Sequence, residues 1–340
     1  MSRAELEQTA RALVAPGKGI LAADESSGTI KKRFDGIGVE STETNRRDYR
    51  EMLFTTKGAG DYISGVILYD ETIRQKASDG RRLVEILEGQ GIIPGIKVDL
   101  GAKPLAKSPD EKITEGLDGL RERLVEYRGM GARFAKWRAV IDIGESIPSR
   151  YCIDVNADAL ARYAALCQEQ DIVPIVEPEV MMDGSHTIER CYQVTCDTLH
   201  SVFDTLYAQR VEFETMLLKP NMVLPGKENR TAPPDEVADA TIACFRTVVP
   251  AAVPGIVFLS GGQGDEEATA NLDAMNRKGP HPWQLSFSYG RALQAASLDA
   301  WKGDQGNVAA GQRAFLHRAK CNGAARDGRY TAELEREAAA

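Results

Sequence analysis

Ile172-Val-Pro-Ile-Val-Glu-Pro-Glu-Val180 is a short apolar run that carries two carboxylates two residues apart. A run of this length, rich in β-branched residues and interrupted by proline, predicts a buried strand rather than a helix. In the segment that follows, Ile188–Ala208, apolar residues recur at i, i+3, i+4 and i+7, which predicts an amphipathic helix. A strand followed by a helix is the basic unit of an α/β fold.

The same unit recurs in both directions along the chain. Eight short apolar runs alternate with helical patterns. The runs are Gly19–Ser26, Ile63–Asp70, Ile92–Leu100, Ala132–Val140, Ile172–Val180, Met216–Val223, Gly255–Gly262 and Trp283–Gly290. The clearest helical patterns are Leu117–Tyr127, Ala157–Gln168, Ile188–Ala208, Val237–Val249 and Ala268–Met275. This alternation requires parallel strands with crossover helices, as in a doubly wound sheet or a closed barrel, and eight units without an early glycine-rich fingerprint favour an α/β (β/α)8 TIM barrel.

The chain of 340 residues is long enough for two domains, but α/β barrels commonly reach this length as one. No Ser/Gly-rich linker or repeat divides it. We therefore predict a single barrel over residues 1–340, with an N-terminal helix and a flexible C-terminal tail from about residue 326. Helix starts are predicted at Asn156-Ala-Asp, Pro233-Pro234-Asp-Glu and Asp265-Glu-Glu, where acidic side chains would interact favourably with the positive, N-terminal end of the helix dipole.

Composition excludes several classes of function. The net charge is −8 and the basic residues are scattered, so the chain has no nucleic-acid-binding stripe. Its apolar runs are well short of the ~20 residues needed to span a membrane. The N-terminus has no apolar signal-peptide core, which predicts a cytoplasmic protein. Six cysteines lack zinc-site spacing, and we interpret them as reduced; Cys191 and Cys196, five residues apart in a helical segment, are better explained as buried thiols than as metal ligands.

Polar side chains spaced by two stand inside the apolar strands. The pairs are Asp24 with Ser26, Lys97 with Asp99, Lys136 with Arg138 and Glu177 with Glu179, and Lys219 stands in the sixth strand. A spacing of two puts both members of a pair on the same face of a strand. Any one pair could belong to an exposed face, but helices cover the outside of a barrel. The interior mouth, where barrels carry their chemistry, is therefore the predicted location of four cations and four anions.

Lys219 is the candidate nucleophile. It stands in Met216-Leu-Leu-Lys-Pro-Asn-Met-Val223, where apolar neighbours disfavour the charged amine, and a nearby cation such as Lys136 would disfavour it further. A neutral amine can attack a ketone, and the protonated imine that results can withdraw electrons from a neighbouring carbon–carbon bond. A structural salt bridge to a glutamate is the alternative role for this lysine.

Proton transfer in such a reaction needs a carboxyl group on each side of the bond that breaks. Glu177 or Glu179 could protonate the departing hydroxyl, and Asp24 could deprotonate the hydroxyl that becomes an aldehyde. The sequence pattern by itself does not choose between the two glutamates.

Two glycine-bearing turns predict a phosphate site. Ser260-Gly261-Gly262 follows the seventh strand and Ser288-Tyr-Gly290-Arg291 follows the eighth, the usual position for phosphate in an α/β barrel. A second anion cluster is predicted after the first strand and across the mouth. Its members are Ser26, Thr29, Arg33, Lys97 and Arg138. Two anion sites on either side of one reactive lysine fit a bisphosphate substrate.

Seven motifs, in order along nearly the whole chain, closely resemble those of the class I fructose-bisphosphate aldolase family. They are Gly19-Ile-Leu-Ala-Ala-Asp-Glu-Ser-Ser-Gly-Thr-Ile30, Gly95-Ile-Lys-Val-Asp99, Phe134-Ala-Lys-Trp-Arg138, Ile175-Val-Glu-Pro-Glu-Val180, Leu217-Leu-Lys-Pro-Asn-Met-Val223, Phe258-Leu-Ser-Gly-Gly-Gln263 and Phe287-Ser-Tyr-Gly-Arg-Ala-Leu-Gln294. The resemblance implies reversible cleavage of fructose 1,6-bisphosphate to dihydroxyacetone phosphate and glyceraldehyde 3-phosphate, with no metal ion and no cofactor. It also implies a homotetramer.

Residue roles follow from the same resemblance. It implies Lys219 as the imine-forming lysine, Glu177 as proton donor and acceptor, Asp24 as base, and Lys136 and Arg138 beside the substrate. Around the phosphate of the first carbon it implies Ser260, Gly261, Ser288, Gly290 and Arg291, and toward the opposite end it implies Ser26, Thr29, Arg33 and Lys97. Thr29 stands where the family often has serine. Animal members carry a terminal tyrosine that assists proton exchange at the carbanion; here the last tyrosine is Tyr330, to which we assign no such role.

Three other hypotheses fit less well. A metal-dependent aldolase needs clustered ligands, and we find no paired spacing among His186, His200, His281 and His317. A transaldolase or a single-phosphate aldolase would share the lysine but would not need two anion sites. A scaffold whose main role is protein binding is possible in principle because fold does not fix function, but every candidate catalytic residue is present.

Overall fold

The computed structural model describes residues 3–337 and contains a closed barrel of eight parallel strands, which confirms the predicted fold class. The barrel strands are β1 (Gly19–Ala23), β2 (Ile63–Leu68), β3 (Ile93–Lys97), β6 (Phe134–Ile141), β7 (Val173–Val180), β8 (Leu217–Leu218), β9 (Gly255–Phe258) and β10 (Gln284–Tyr289). Around the barrel they run in the order β1-β10-β9-β8-β7-β6-β3-β2. A small antiparallel hairpin, β4 (Ala102–Pro104) and β5 (Lys112–Thr114), follows β3 and was not predicted.

Thirteen α-helices occur in the described part of the chain, most of them on the outside of the barrel. They are α1 (Arg3–Leu13), α2 (Ser27–Asp35), α3 (Glu43–Phe54), α4 (Asp70–Arg74), α5 (Leu83–Glu88), α6 (Leu120–Met130), α7 (Arg150–Glu169), α8 (Ile188–Ala208), α9 (Pro234–Val248), α10 (Asp265–Arg277), α11 (Arg291–Trp301), α12 (Val308–Arg326) and α13 (Ala332–Arg336). Within residues 3–337, no helix combines the length and apolar character that a membrane span requires.

Strand alternation separates the two faces of the barrel wall. Along β6, Ala135 and Trp137 pack outward in the large cluster between strands and helices, whereas Phe134 belongs to the separate interior cluster. Lys136 and Arg138 share the parity of Phe134 and therefore point into the barrel. The registers of β6 and β7 place Arg138 opposite Glu177 and thus bring the charged positions of both strands to the same level.

The N-terminal end of the barrel is closed by apolar side chains. Leu13 and Val14, at and just after the end of α1, are buried in the same interior cluster as Phe134 and Ile175. The apolar floor leaves only the opposite, C-terminal mouth open to solvent for polar chemistry.

Three local predictions were wrong in their details. The sixth predicted strand is reduced to two residues because Pro220, which has no N–H, follows Lys219. Ser26 lies beyond the end of β1 and is the N-cap residue of α2. The helix predicted to begin at Asn156 begins at Arg150 instead, because the hydroxyl of Ser149 caps it by accepting a hydrogen bond from the Cys152 N–H at 3.1 Å.

The C-terminal segment packs against the barrel as far as the described residues extend. The Tyr330 hydroxyl donates to Glu335 at 2.7 Å, and the backbone N–H of Tyr330 donates to Asp273 at 2.8 Å. Arg318 of α12 forms an ion pair with Glu335. The flexible tail from about residue 326 stays a prediction, and a mobile tail would have to break these contacts. Residues 338–340 lie outside the described residues.

Gly95 tests how tightly the barrel floor is packed. A Cβ atom at this position would overlap the ring of the fully buried Phe134. We expect Gly95→Ala to destabilise the protein by ~1–3 kcal/mol through overpacking, measured as a lower thermal midpoint. Gly129→Ala in α6 is the matched control, because a Cβ there meets no atom within 4 Å and should be neutral or slightly stabilising. Equal thermal midpoints for the two variants would show that the side chains around Gly95 can rearrange to accommodate a Cβ atom.

Candidate active site

A cavity of about 760 Å³ opens at the C-terminal mouth of the barrel. Of the residues predicted to form the site, all but one line it: Asp24, Ser26, Thr29, Arg33, Lys97, Lys136, Arg138, Glu177, Glu179, Lys219, Ser260, Gly261, Ser288, Gly290 and Arg291. The exception is Gly262, which lies behind the turn against Lys227 and Met182. The structure thus brings together side chains from both halves of the chain.

Lys219 follows β8 directly and is held in place by backbone hydrogen bonding. Its N–H donates to the carbonyl of Val176 on β7 at 2.8 Å, so strand pairing continues through the lysine. The side chain is buried, with 4% of the residue exposed, and its Nζ lies 3.1 Å from Glu177 Oε1. A buried amine next to a single carboxylate oxygen can pass its proton directly to that oxygen.

Lys136 is the central cation of the cavity. Its Nζ lies 2.9 Å from Asp24 Oδ2 and 3.2 Å from Glu177 Oε2, and Asp99 Oδ2 is 3.8 Å away. Burial lowers the pKa of Lys136, but the surrounding carboxylates outweigh burial and the net shift is upward. Lys136 is therefore protonated near neutral pH.

Asp24 is held in its ionised form by the same contacts. Burial raises the pKa of Asp24, and the charges of Lys136 and Lys219 more than reverse that effect, leaving the pKa well below its usual range. Asp24 is therefore a permanent hydrogen-bond acceptor near neutral pH. Glu177 lies between two cations, with Oε1 toward Lys219 and Oε2 toward Lys136.

The remaining charges form pairs on the same side of the mouth. Lys97 lies 2.8 Å from Asp99, and Arg138 pairs with Glu179. Burial lowers the pKa of Arg138, but Glu179 overcomes that effect, so its pKa is raised. Asp99 also accepts hydrogen bonds from the backbone N–H groups of Gly101 and Arg138, at 3.2 Å each. Although the sequence pattern had paired it with Lys97, it had not been predicted as a site residue.

The turn after β9 is shaped by a glycine and by a buried amide. Gly261 has φ of 54°, a left-handed conformation in which glycine is favoured. Behind it, Gln263 donates from its side chain to the Ser260 carbonyl at 3.0 Å and accepts from Asn271 at 2.7 Å. Sequence reasoning had treated this glutamine only as part of a turn. Its signal was an amide between adjacent glycines at the start of a helix.

Arg291 bridges the two predicted phosphate-binding turns. It is the first residue of α11, and its guanidinium donates to the carbonyls of Gly261 at 3.2 Å and Gln263 at 2.9 Å. Near the C-terminal end of β10, the Ser288 hydroxyl is almost completely buried, and it has no hydrogen-bond partner in the described part of the molecule. A buried hydroxyl on the cavity wall without a partner is suited to a ligand oxygen.

The cluster after β1 differs from its predicted arrangement. The Ser26 and Thr29 hydroxyls lie 3.2 Å apart, as expected for one site. Arg33, which had been grouped with them, also approaches Gly290: its Nη2 would be 3.6 Å from a Cβ built at that glycine. Arg33 therefore stands between the two predicted anion sites rather than at the far end of one.

Glu25 holds Arg33 in that position and had been missed. It forms an ion pair with Arg33 and accepts from Arg50 at 2.6 Å and from Gln294 at 2.8 Å. Glu25 is 7% exposed, and these partners supply the hydrogen bonds that a buried carboxylate needs. The sequence offered one signal, a second acidic residue directly after Asp24.

One group of side chains outside the cavity contains three possible metal ligands close together. The ligand atoms of His317, Cys321 and Glu335 lie within 4.8 Å of one another, and no other such group occurs in residues 3–337. The spacing of four between His317 and Cys321 had not been singled out. Glu335 is already neutralised by Arg318, and burial raises the pKa of the Cys321 thiol to about 12, so this group is a poor cation site.

Comparisons with known proteins agree on one family. Residues 5–340 match the sequence model described as "Glycolytic: Fructose-bisphosphate aldolase class-I". The chain is 59% identical to "Probable fructose-bisphosphate aldolase class 1" of Xanthomonas campestris, with 97% of this chain and 99% of that protein covered. It is 53% identical to "Fructose-bisphosphate aldolase 5, cytosolic" of Arabidopsis thaliana, with 99% and 94% covered. A solved structure of fructose-bisphosphate aldolase from Plasmodium falciparum superposes with a TM-score of 0.95 at 51% identity, covering 96% of this chain and 95% of that one.

Removing the central cation tests the charge balance of the mouth. Lys136→Met leaves Asp24, Glu177 and Asp99 without their shared partner, and we expect a loss of ~3–5 kcal/mol of stability near neutral pH. Asp24 has a lowered pKa in the wild-type protein, so its contribution is present above the ordinary value of 3.8 and is lost only as pH falls through its lower folded value. In the variant the lowering by Lys136 is lost, and burial, which raises the pKa of Asp24, is opposed only by the charges of Lys219 and Lys97, so this pKa should rise.

The deficit of the variant should therefore shrink as pH falls from about 8 to about 5, measured as the difference in thermal midpoint from wild type. Lys112→Met is the matched control, because Lys112 forms only a partly exposed pair with Asp142, away from the cavity, and should change the midpoint less. A deficit that is the same at both pH values would contradict the proposed charge balance.

Proposed function

The chain belongs to the class I fructose-bisphosphate aldolase family, and we propose that Lys219 is the residue through which it works. Members of this family are lyases of glycolysis and gluconeogenesis. The reaction is the reversible cleavage of fructose 1,6-bisphosphate to dihydroxyacetone phosphate and glyceraldehyde 3-phosphate through a lysine Schiff base. The observation that carries the assignment of Lys219 is its buried amine, 3.1 Å from a carboxylate on the cavity wall.

The first step is the attack of Lys219 on the ketone carbon of the open-chain sugar. An ammonium group has no lone pair, so its proton must leave first, and Glu177 Oε1 is the acceptor within reach. The neutral amine then adds to the carbonyl and forms a carbinolamine. Lys136 remains charged throughout and keeps Glu177 in position through its other oxygen.

Loss of water from the carbinolamine needs a proton for the departing hydroxyl. We assign this role to Glu177, because it holds the proton taken from Lys219 and stands next to the same nitrogen. Glu179, the alternative left open by the sequence pattern, is engaged by Arg138. Its role in our proposal is to hold Arg138 beside the substrate.

Asp24 is the proposed base for carbon–carbon bond cleavage. Because its pKa is low, it is ionised when the sugar arrives and can accept the proton of the hydroxyl that becomes the aldehyde. The same low pKa makes it a weak base. Proton removal must therefore be driven by the flow of bond electrons into the protonated imine on Lys219.

The two phosphates are proposed to bind at opposite sides of this centre. Ser260, Gly261, Ser288, Gly290 and Arg291 form the pocket for the phosphate of the first carbon, and Gly262 supports its turn from behind. The other phosphate is proposed to lie near Ser26, Thr29, Lys97 and Arg138. Arg33, located next to Gly290, is proposed to contact the substrate between the two pockets.

We further propose a homotetramer that works in the cytoplasm. The tetramer rests on the family resemblance. The location is supported by the names of relatives, among them the cytosolic enzyme of Arabidopsis thaliana and the cytoplasmic isozyme of Spinacia oleracea, which is 52% identical.

Covalent trapping tests the role of Lys219. Borohydride reduction in the presence of dihydroxyacetone phosphate should attach the triose to Lys219, as mapped by mass spectrometry of the digested protein. Lys219→Met should form no adduct and should lose turnover. EDTA should leave wild-type cleavage unchanged, because neither the imine nor the proton steps need a metal ion.

The control variant is Lys112→Met, in which a partly exposed lysine outside the cavity is lost and labelling at Lys219 should persist. An adduct on a lysine other than Lys219, or no adduct at all, would refute the mechanism.

Arg291 tests the pocket for the first phosphate. Arg291→Ala removes a charge-assisted contact to the ligand, and we expect KM for fructose 1,6-bisphosphate to rise ~10–100-fold with a smaller change in kcat. Arg162→Ala, which removes an arginine exposed on α7, is the control and should leave both constants unchanged. Normal affinity of Arg291→Ala for the substrate would contradict the proposal that this pocket binds the first phosphate.

A further inference from the structure

In the outer helical layer, two thiols that are distant in sequence lie next to each other. Cys196 lies on α8 and Cys244 on α9, two helices that pack side by side. Their sulfur atoms are 2.7 Å apart, and both cysteines are free. A shift of less than about 1 Å would bring the sulfurs to bonding distance.

The two thiols differ in access and in environment. Cys196 is partly exposed, whereas Cys244 is fully buried. Once Cys196 loses its proton, only Cys244 can donate in the hydrogen bond between them. That hydrogen bond lowers the pKa of the Cys196 thiol, burial opposes it, and a further hydrogen bond from Tyr192 adds to the lowering. Cys196 is thus the accessible member and the better nucleophile, and Cys244 is placed to resolve an adduct on it.

We propose that Cys196 and Cys244 are a redox-active pair that forms a reversible disulfide between α8 and α9 when a small disulfide oxidant is present. The Cys196 thiolate attacks one sulfur of oxidised glutathione, forms a mixed disulfide and releases one glutathione thiolate. That thiolate takes up the proton that Cys244 loses. Cys244 then attacks the sulfur of Cys196 and expels the second glutathione as a thiolate, which takes up the proton that Cys196 had lost to solvent. Two protein thiols are oxidised and one glutathione disulfide is reduced to two thiols.

The disulfide would stabilise the barrel wall without entering the active site. The loop that it closes, residues 196–244, contains β8 and Lys219, and closing a loop of this length removes conformational freedom from the unfolded chain. Neither cysteine lines the catalytic cavity. In a reducing compartment the pair stays as two thiols, and the link forms only when the oxidant rises.

The experiment is to incubate the native full-length protein with oxidised glutathione and then map its disulfides by mass spectrometry without reduction. Wild type should lose two free thiols, yield a peptide linking Cys196 to Cys244 and retain no glutathione. Its thermal midpoint should rise by ~5 °C and return to its original value with dithiothreitol, with cleavage activity unchanged throughout.

Variants separate the two roles. Cys244→Ser, with Cys244→Ala as a second choice if folding is impaired, should retain one glutathione on Cys196. Cys196→Ser should take up no glutathione at Cys244 and form no link. Cys191→Ser, which alters a buried cysteine on the same helix, should behave as wild type. Glutathione retained on Cys196 in wild type, linkage through another cysteine, or no reaction in wild type and Cys244→Ser would each overturn the proposal.

Discussion

The structure of the barrel mouth depends on the contacts between the ammonium group of Lys136 and the carboxylates around it. Burying one cation costs several kcal/mol, and three carboxylates from different strand ends offset that cost. The same contacts fix the ionisation of Asp24 and turn Glu177 so that one oxygen faces Lys136 and the other faces Lys219. One side chain therefore links the stability of the mouth to the geometry of catalysis. A neutral residue of the same length would take the ion-pair partner from Asp24 and would leave Glu177 and Asp99 with one cation each, Lys219 and Lys97.

Strand alternation explains why a charged cluster can stand inside an apolar protein. On β6 the parity that buries Phe134 in the floor also directs Lys136 and Arg138 into the mouth. A slip of one residue would turn both charges toward the packed helices and is strongly disfavoured. The apolar floor and the polar mouth are thus formed by successive inward-facing residues of the same strands.

The sequence predicted the features that follow from repetition, and it missed those that depend on single tertiary contacts. All eight strands were found, because each is a buried apolar run, and the bounds of α8 were predicted to the residue. The N-cap at Ser149 was missed because several polar residues near Asn156 could have started the helix, and only the folded backbone selects one. Glu25 was missed for a related reason: its partners Arg50 and Gln294 are distant in sequence, and no local spacing connects them.

Lys219 Nζ and Glu177 Oε1 lie within hydrogen-bond distance of each other in a buried site, so the first proton transfer between them needs no bridging water. Before transfer, the two groups are an ion pair that the low-dielectric interior solvates poorly. After transfer both groups are neutral, while Lys136 keeps its contacts with Asp24 and Asp99. The net charge of the cavity does not change. A carboxylate shared by two lysines can therefore activate one of them while the other stays charged.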